Sequence, residues 1–263
     1  GDYAQQFPSI AIDGNDNIHV VWQGKNATNG VFPQIYYRKF TTSWQSSIAL
    51  TNINWQQNYP SIAVDGSNNV HVTWIGGTTI SSTSVLQYRK FTDAWQDVEY
   101  LTTAATDGIQ TSTPSIAVGS DNHIHIAWKG RHSSSTTVYQ IRYIENTGTW
   151  QAISNLTNES YSQEAPQIAL DSSNNPHVVW TGQYAGSPEK KQMRYVNYSG
   201  SWQSIQNLSS YAFDQWHANI AIDSDNNINI VWHGAFDETY YYGVHYRKFT
   251  TSWSDPVNLA GAG

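Results

Sequence analysis

The stretch PSIAVDGSNNVHVTW, residues Pro60–Trp74, recurs with small changes four more times along the 263-residue chain. The other copies begin at Pro8, Pro114, Pro166 and Ala218. Each copy ends in a tryptophan, and a second row of tryptophans follows the first; the rows are Trp22, Trp74, Trp128, Trp180 and Trp232, and Trp44, Trp95, Trp150, Trp202 and Trp253. Both rows advance in steps of about 52 residues, a period typical of solenoids and propellers. The chain is therefore predicted to consist of five copies of one unit.

Each repeat is predicted to contain four short strands, which we name A to D in chain order. In the second repeat they are Ser61–Val64, Val70–Trp74, Leu86–Phe91 and Trp95–Leu101, rich in Val, Ile, Tyr, Phe and Trp and separated by turn residues. Five such units match an all-β, five-bladed β-propeller with four antiparallel strands per blade, in which each blade covers its neighbour's apolar face. We expect one domain over 1–263, with blades at approximately 1–52, 53–104, 105–158, 159–210 and 211–263.

Two further features of the ring follow from the repeat. A small residue recurs in strand A, at Ala11, Ala63, Ala117, Ala169 and Ala221. This predicts that strand A is innermost, where the strands crowd around the axis. The repeat frame opens before a first strand and ends after a last one, so we expect blade five to pack directly on blade one without strand exchange.

PSIAVDGSNNVHVTW resembles the first two strands of NHL-type propeller blades, and it is also similar to the BNR repeats of sialidase-type propellers. The sialidase Asp-box reads Ser-X-Asp-X-Gly-X-X-Trp, and the turns here keep the Asp and the Trp but not that spacing. The resemblance implies the propeller fold and transfers no catalytic residue.

Composition narrows the class of partner. Charged residues are 13% of the chain, about half the usual share, whereas uncharged polar and aromatic residues are abundant. The net charge of −7 and the lack of a long Lys/Arg cluster argue against nucleic acid. No apolar run reaches the length of a membrane-spanning helix, so no membrane insertion is expected. We expect a glycan or polysaccharide partner, no cofactor, and a soluble protein at an extracellular or cell-surface location; the oligomeric state is left open.

The predicted binding face carries the B–C loops and the D–A links. The B–C loops differ in every repeat, and variation between copies marks the likelier binding face. The D–A links repeat an aromatic ring followed two positions later by glutamine, a pairing that offers a sugar both stacking and hydrogen bonds. The predicted ligand-binding residues are Tyr3, Gln5, Trp55, Gln57, Tyr161, Gln163, Phe213, Gln215 and Trp216. The alternative is that these rings fill crevices between blades.

The opposite face is predicted to be structural. Its A–B turns are near-copies whose Asp, Asn and Gly side chains suit tight turns better than calcium loops. A histidine row on strand B, His19, His71, His125 and His177, suggests a metal ring, but equivalent atoms of different blades would lie too far apart to share one ion. We expect these histidines to bond between blades or to the turns, and no metal site.

Blade five is the most individual repeat. If the protein is an enzyme, the candidate catalytic residues are Asp214, His217, His233, Asp237, Glu238 and Tyr241. His with Tyr could serve polysaccharide β-elimination, and two carboxylates could serve glycoside hydrolysis. Three functions therefore stand: a lectin-like propeller with repeated shallow sites, a polysaccharide lyase or glycoside hydrolase with one site on blade five, and a protein-interaction scaffold.

Overall fold

The chain forms five sheets of four antiparallel strands, as seen in a computed structural model that describes residues 4–25, 31–103, 110–131, 138–235 and 242–260. Blade one is β1 (Gln5–Ile12), β2 (Ile18–Gly24), β3 (Gln34–Phe40) and β4 (Ile48–Ala49); blade two is β5 (Gln57–Val64), β6 (Val70–Thr78), β7 (Ser81–Phe91) and β8 (Glu99–Tyr100). Blade three is β9 (Gln110–Val118), β10 (Ile124–Gly130), β11 (Gln140–Asn146) and β12 (Ser154–Asn155); blade four is β13 (Gln163–Leu170), β14 (Pro176–Tyr184), β15 (Ser187–Asn197) and β16 (Gln206–Asn207). Blade five is β17 (Gln215–Ile222), β18 (Ile228–Ala235), β19 (Tyr242–Phe249) and β20 (Val257–Asn258). The fold is the predicted five-bladed β-propeller, and no helix in the described ranges could cross a membrane.

Strand A is innermost, as predicted. A central cavity of about 380 Å³ is lined by residues from all five A strands, among them Ser9, Ser61, Pro114, Gln167 and Asn219. Neighbouring A strands are tied together where the Ser61 hydroxyl accepts a hydrogen bond from the Ile116 backbone at 3.3 Å. The A–B turns lie at one end of this axis, and the starts of the A strands lie at the other.

Two histidines of the row, His19 and His71, bond the aspartates of their A–B turns, a structural role that the sequence predicted. His125 bonds the Tyr143 hydroxyl of strand C but not its turn, where Gly119 replaces the aspartate.

In blade two the Asp65 carboxylate accepts backbone N–H bonds from Ser67 at 2.9 Å and Asn69 at 2.8 Å. His71 joins this carboxylate at 3.1 Å to the Tyr88 hydroxyl of strand C at 2.7 Å. The bond runs within one blade, not between blades. Burial outweighs the Asp65 carboxylate and lowers the pKa of His71.

Strand D is shorter than predicted. The expected strand Trp95–Leu101 is paired only over Glu99–Tyr100, and Trp95 forms a single bridge with Phe91. Strand D lies at the outer edge of its blade and has strand C as its one partner. The aromatic side chains of this segment serve packing between blades more than sheet pairing.

Four interfaces join successive blades in the same way. Between blades one and two, Val21, Ile35 and Leu50 of blade one pack against Ile62 and Trp74 of blade two. Outside this layer, a Trp of each later blade meets a Tyr of the preceding blade with ring centroids about 5 Å apart and an edge-to-face geometry. These pairs are Trp95–Tyr37, Trp150–Tyr88, Trp202–Tyr143 and Trp253–Tyr195.

The predicted direct packing of blade five on blade one is wrong. Ile10 of blade one is 64% exposed, although its equivalent Ile62 is 6% exposed. On blade five, Val244 is 43% exposed, although its equivalent Ile35 is fully buried. Among the described residues, the apolar clusters join blades one to two, two to three, three to four and four to five. The five blades therefore leave one seam unpacked.

Candidate functional site

The repeated glutamines of the D–A links are framework residues in three blades. Gln57, Gln163 and Gln215 are fully buried. The Gln57 carbonyl oxygen accepts a hydrogen bond from the Trp74 indole at 2.7 Å, and its amide donates to the Gly77 carbonyl at 2.9 Å. Gln163 and Gln215 repeat this arrangement with Trp180 and Trp232. This placement argues against direct ligand contact by these three amides.

Gln5 differs from the other glutamines because its side chain is exposed. It still accepts from the Trp22 indole at 2.7 Å and donates to the Lys25 carbonyl at 2.8 Å. The glutamine of blade one therefore makes the same bonds in contact with water.

The aromatic residues of the links are half-buried at the rim. The Trp55 ring packs 5.9 Å from that of Phe32, and Tyr161 and Phe213 are likewise half-buried. Backbone carbonyls of all three links accept hydrogen bonds from the framework glutamines. Tyr3 lies outside the described residues. Half-burial of these three rings is compatible with both ligand contact and crevice filling, so their contact with a ligand stays a prediction.

The positions that differ most between blades lie beside this framework. In each blade, one strand A residue follows the position that holds glutamine in four of the blades. That residue pairs across the sheet with the strand B residue that stands between the constant Trp and the constant Gly. The pairs are Gln6 with Gln23, Asn58 with Ile75, Ser112 with Lys129, Glu164 with Thr181, and Trp216 with His233. A constant scaffold thus presents five different pairs on one face.

In blades three to five, three residues of these pairs, Lys129, Glu164 and Trp216, meet Tyr139 and Lys191, which lie at the ends of B–C loops. We call these five residues, which are basic, acidic and aromatic, the blade 3–5 cluster. The Glu164 carboxylate lies 3.6 Å from the Lys129 ammonium and 3.0 Å from that of Lys191. The Lys191 ammonium lies 3.9 Å from the Trp216 ring centroid, and that of Lys129 lies 4.6 Å from the Tyr139 centroid. Every side chain of the cluster is partly exposed.

The cluster continues to two histidines of blade five. The ring of His217 lies 6.3 Å from that of Trp216 and 5.2 Å from that of His233. His217 has a φ of 46°, at a strand A bulge that recurs in every blade, so the strained backbone is architectural. Burial, and then the neighbouring histidines, lower the pKa of His233. His233 is therefore mainly neutral at pH 7 and able to accept a proton.

The remaining candidates on blade five separate into two groups. The Asp214 carboxylate accepts a hydrogen bond from the Lys191 backbone N–H at 2.7 Å, and this bond fixes the backbone of Lys191. Asp237, Glu238 and Tyr241 lie outside the described residues.

Sequence reasoning missed Lys129, Tyr139, Glu164 and Lys191. Lys191 ends one of the B–C loops that differ in every repeat, and Lys129 is an isolated lysine on strand B. The available signal was internal variation, because Lys129 and Glu164 lie next to residues that recur in the repeat, and Tyr139 and Lys191 lie at the ends of variable B–C loops. Arg131 joins the group with its guanidinium carbon 4.7 Å from the Tyr139 centroid. Three cationic side chains, Lys129, Lys191 and Arg131, thus lie in or beside a cluster whose single carboxylate is that of Glu164, in a chain with a net charge of −7.

No protein-family model and no curated protein matches this sequence. Solved structures match its fold. A protein of unknown function from Dyadobacter fermentans is 11% identical, with a TM-score of 0.68 over 99% of this chain and 84% of that chain. A Hadza microbial sialidase is 9% identical, with a TM-score of 0.64 over 97% of this chain and 58% of that chain. A polysaccharide lyase, an ulvan lyase bound to -[GlcA(1-4)Rha3S]-, is 13% identical, with a TM-score of 0.62 over 92% of this chain and 66% of that chain.

At these identities the likeness shows the fold alone, a β-propeller, and the five sheets of this chain are similar to blades of the sialidase. The resemblance to sialidase-type repeats seen in the sequence is confirmed at that level. The chain spans 58% of the sialidase and 66% of the lyase.

Proposed function

We propose that this protein binds a glycan that carries acidic groups, and that the blade 3–5 cluster is its principal site. The observation that carries the proposal is the arrangement of two lysines on one carboxylate, flanked by the Trp216 and Tyr139 rings. An aromatic face supplies area for a sugar ring, and ammonium groups recognise a carboxylate or sulfate. The similarity of fold to a sialidase and to a lyase bound to a glucuronate-containing sugar supports the same partner class.

The site refines the earlier expectation of repeated, equivalent sites. Three of the glutamines that would have made each site alike, Gln57, Gln163 and Gln215, are buried, whereas the cluster occurs once among the described residues. Half-buried Trp55, Tyr161 and Phe213 could add weaker contacts along the same face. A glycan ligand implies an extracellular or cell-surface setting for this proposal.

The test is a glycan array followed by calorimetric titration of the best acidic hit. Trp216→Ala and Lys191→Gln should each weaken binding about tenfold or more, the loss expected for one stacking or charge-assisted contact. Lys190→Gln is the matched control, because Lys190 is the exposed neighbour of Lys191 and its ammonium contacts none of the five cluster side chains. Trp55→Ala tests whether the half-buried rings of the D–A links also contribute to glycan affinity.

Three results would contradict the assignment. They are unchanged binding in both cluster variants, equal loss in Lys190→Gln, and preference for neutral over acidic sugars. Loss of binding in Trp55→Ala alone would return the site to the rim of blade two. A stoichiometry of several sugars per chain would restore the repeated-site hypothesis.

The second candidate function is cleavage of the same glycan by β-elimination. The pair of His217 and His233, with ring centroids 5.2 Å apart and next to the cluster, favours it. Elimination from a uronate requires a cation to stabilise charge on the carboxylate and a base to remove the C5 proton, while the bond from C4 to the glycosidic oxygen breaks and that oxygen takes up a proton. Lysines of the cluster would supply the cation, and neutral His233 would remove the C5 proton and return it to the leaving oxygen.

The assay for cleavage is ultraviolet absorbance of the unsaturated uronate product. His233→Asn should abolish product formation while leaving glycan affinity within about twofold. Binding without product in the unchanged protein would leave glycan binding as the function. Product formation that survives His233→Asn would exclude this histidine as the base.

A further inference from the structure

We infer that the unpacked seam is a docking surface for one further blade of the same repeat class, inserted between blade five and blade one. The inference concerns the assembly of the ring and does not depend on the glycan site. It follows from comparing the two exposed faces with the four packed interfaces of the same chain.

Blade one presents one half of the interface, and no apolar cluster of the described residues is packed against it. In the packed interface between blades one and two, this half is formed by Ile62, Val70, Val72 and Trp74. The equivalent residues of blade one are Ile10, Ile18, Val20 and Trp22, and none of them is fully buried. Trp44, the equivalent of the edge-packed Trp95, is 46% exposed. A cavity of about 540 Å³ is open over Val20 and Trp22.

Blade five presents the other half. In the packed interface this half is Val21, Ile35, Tyr37 and Leu50 of blade one. Its equivalents on blade five are Val231, Val244, Tyr246 and Leu259. Val231 and Leu259 are 37% and 55% exposed, whereas Val21 and Leu50 are at most 3% exposed.

Hydrogen-bonding groups of the interface are present at the seam as well. The Arg89 guanidinium of blade two donates to the Leu50 carbonyl of blade one at 2.6 Å, and Arg247 of blade five donates to the Leu208 carbonyl of blade four at 2.6 Å. Arg38 of blade one is the equivalent donor, and the Leu259 carbonyl of blade five is the equivalent acceptor. The two faces therefore carry matching apolar and polar halves of one interface.

The occupant that fits both faces at once is a blade. Each packed interface needs a Trp-bearing half and a Tyr-bearing half, and only a unit that carries both can satisfy blade five on one side and blade one on the other. A second copy of the chain would place its blade five against blade one, a heterologous contact that builds an open or closed assembly of whole rings and places no single blade inside the seam. A blade in the seam extends the established interfaces and buries both faces.

The test uses a thiol probe, because the chain has no cysteine. Ile10→Cys places one thiol on the exposed face of blade one, and Ile62→Cys places the matched control thiol in a packed interface. Each is combined with a sixth repeat joined after Leu259, either a copy of residues 51–103 or a copy of 157–209, which reproduces the natural Leu–Thr junction between blades. The readout is the rate of reaction with a thiol reagent, together with the melting temperature and the sedimentation coefficient.

We expect Ile10→Cys to react at least about tenfold faster than Ile62→Cys in the five-repeat chain, since exposure governs access. Either sixth repeat should slow the Ile10→Cys reaction about tenfold, raise the melting temperature by roughly 10 °C, and keep the protein monomeric. Changing Trp74→Asp within the added 51–103 copy should remove that protection, since it spoils the half that meets blade five.

Three results would overturn the inference. A slow reaction of Ile10→Cys in the five-repeat monomer would mean that blades five and one close on each other. A slow reaction in a five-repeat dimer would mean that a second copy covers the face. Fast reaction with both added repeats would mean that the seam does not accept a blade.

Discussion

Replacing Gln57 by leucine separates a framework role of the repeated glutamine from a ligand-binding role. Gln57 is fully buried, and its carbonyl oxygen is the acceptor for the indole N–H of Trp74, which is also fully buried. Leucine keeps the volume but leaves that N–H without an acceptor. Gln5 offers a matched control, because it makes the same bond to Trp22 while its side chain is exposed.

The expected cost follows from burial. A buried donor left without an acceptor costs about 1–3 kcal/mol, and the lost amide bonds add about 1 kcal/mol, so Gln57→Leu should lower the free energy of unfolding by about 2–4 kcal/mol. Gln5→Leu should cost about 0.5–1 kcal/mol, because water replaces the side chain. For a chain of this size the Gln57 variant should melt roughly 5–15 °C lower.

The assay is urea unfolding followed by tryptophan fluorescence, with calorimetry for the melting temperature and titration with the acidic glycan. Equal destabilisation by the two variants would refute the argument from burial. Unchanged stability of Gln57→Leu with loss of glycan binding would show that the glutamines contact ligand, as the sequence pattern suggested.

Two other predictions address packing and pH. Trp95→Ala should destabilise the fold by about 3–5 kcal/mol in calorimetry, whereas Trp44→Ala should cost markedly less, because Trp95 packs on Tyr37 of the preceding blade and Trp44 is 46% exposed; similar costs would mean that Trp44 is packed in solution. Stability should fall as the pH drops below about 6.5, because burial lowers the pKa of His71 in the folded state and the unfolded chain takes up the proton first. His71→Asn copies blade five, where Asn229 accepts a hydrogen bond from the Tyr246 hydroxyl at 2.7 Å. The variant should reduce the slope of the free energy of unfolding against pH by at most about 1.4 kcal/mol per pH unit. If that slope is the same in the variant between pH 7 and pH 5, His71 is not a source of the pH dependence.

The framework could be predicted because its residues repeat. A Trp or His that returns in each unit meets the same neighbours each time, so the strand order, the innermost A strand and the role of His71 follow from one repeat. Repetition alone does not distinguish the two possible roles of Gln57, ligand contact and framework bond; its burial favours the framework bond. A glutamine beside an aromatic ring has the same sequence signature whether it faces a sugar or bonds a buried indole.

The candidate site could be predicted only in part. Trp216, His217 and His233 were recognised because blade five differs from the other repeats. Lys129 and Glu164 come from different blades, about 35 residues apart, and only the curvature of the ring brings their side chains together.

By itself the sequence determined the repeat, the strands, the number of blades and the face on which the copies differ, because these depend on local periodicity and on residues that recur in register. Only the tertiary structure decided which repeated polar groups are buried, which unrepeated side chains meet across blades, and whether the last blade reaches the first. Burial and proximity depend on how each blade is rotated against the next. A small rotation, summed over five blades, determines whether the ring closes or leaves a seam, and no single repeat contains that sum.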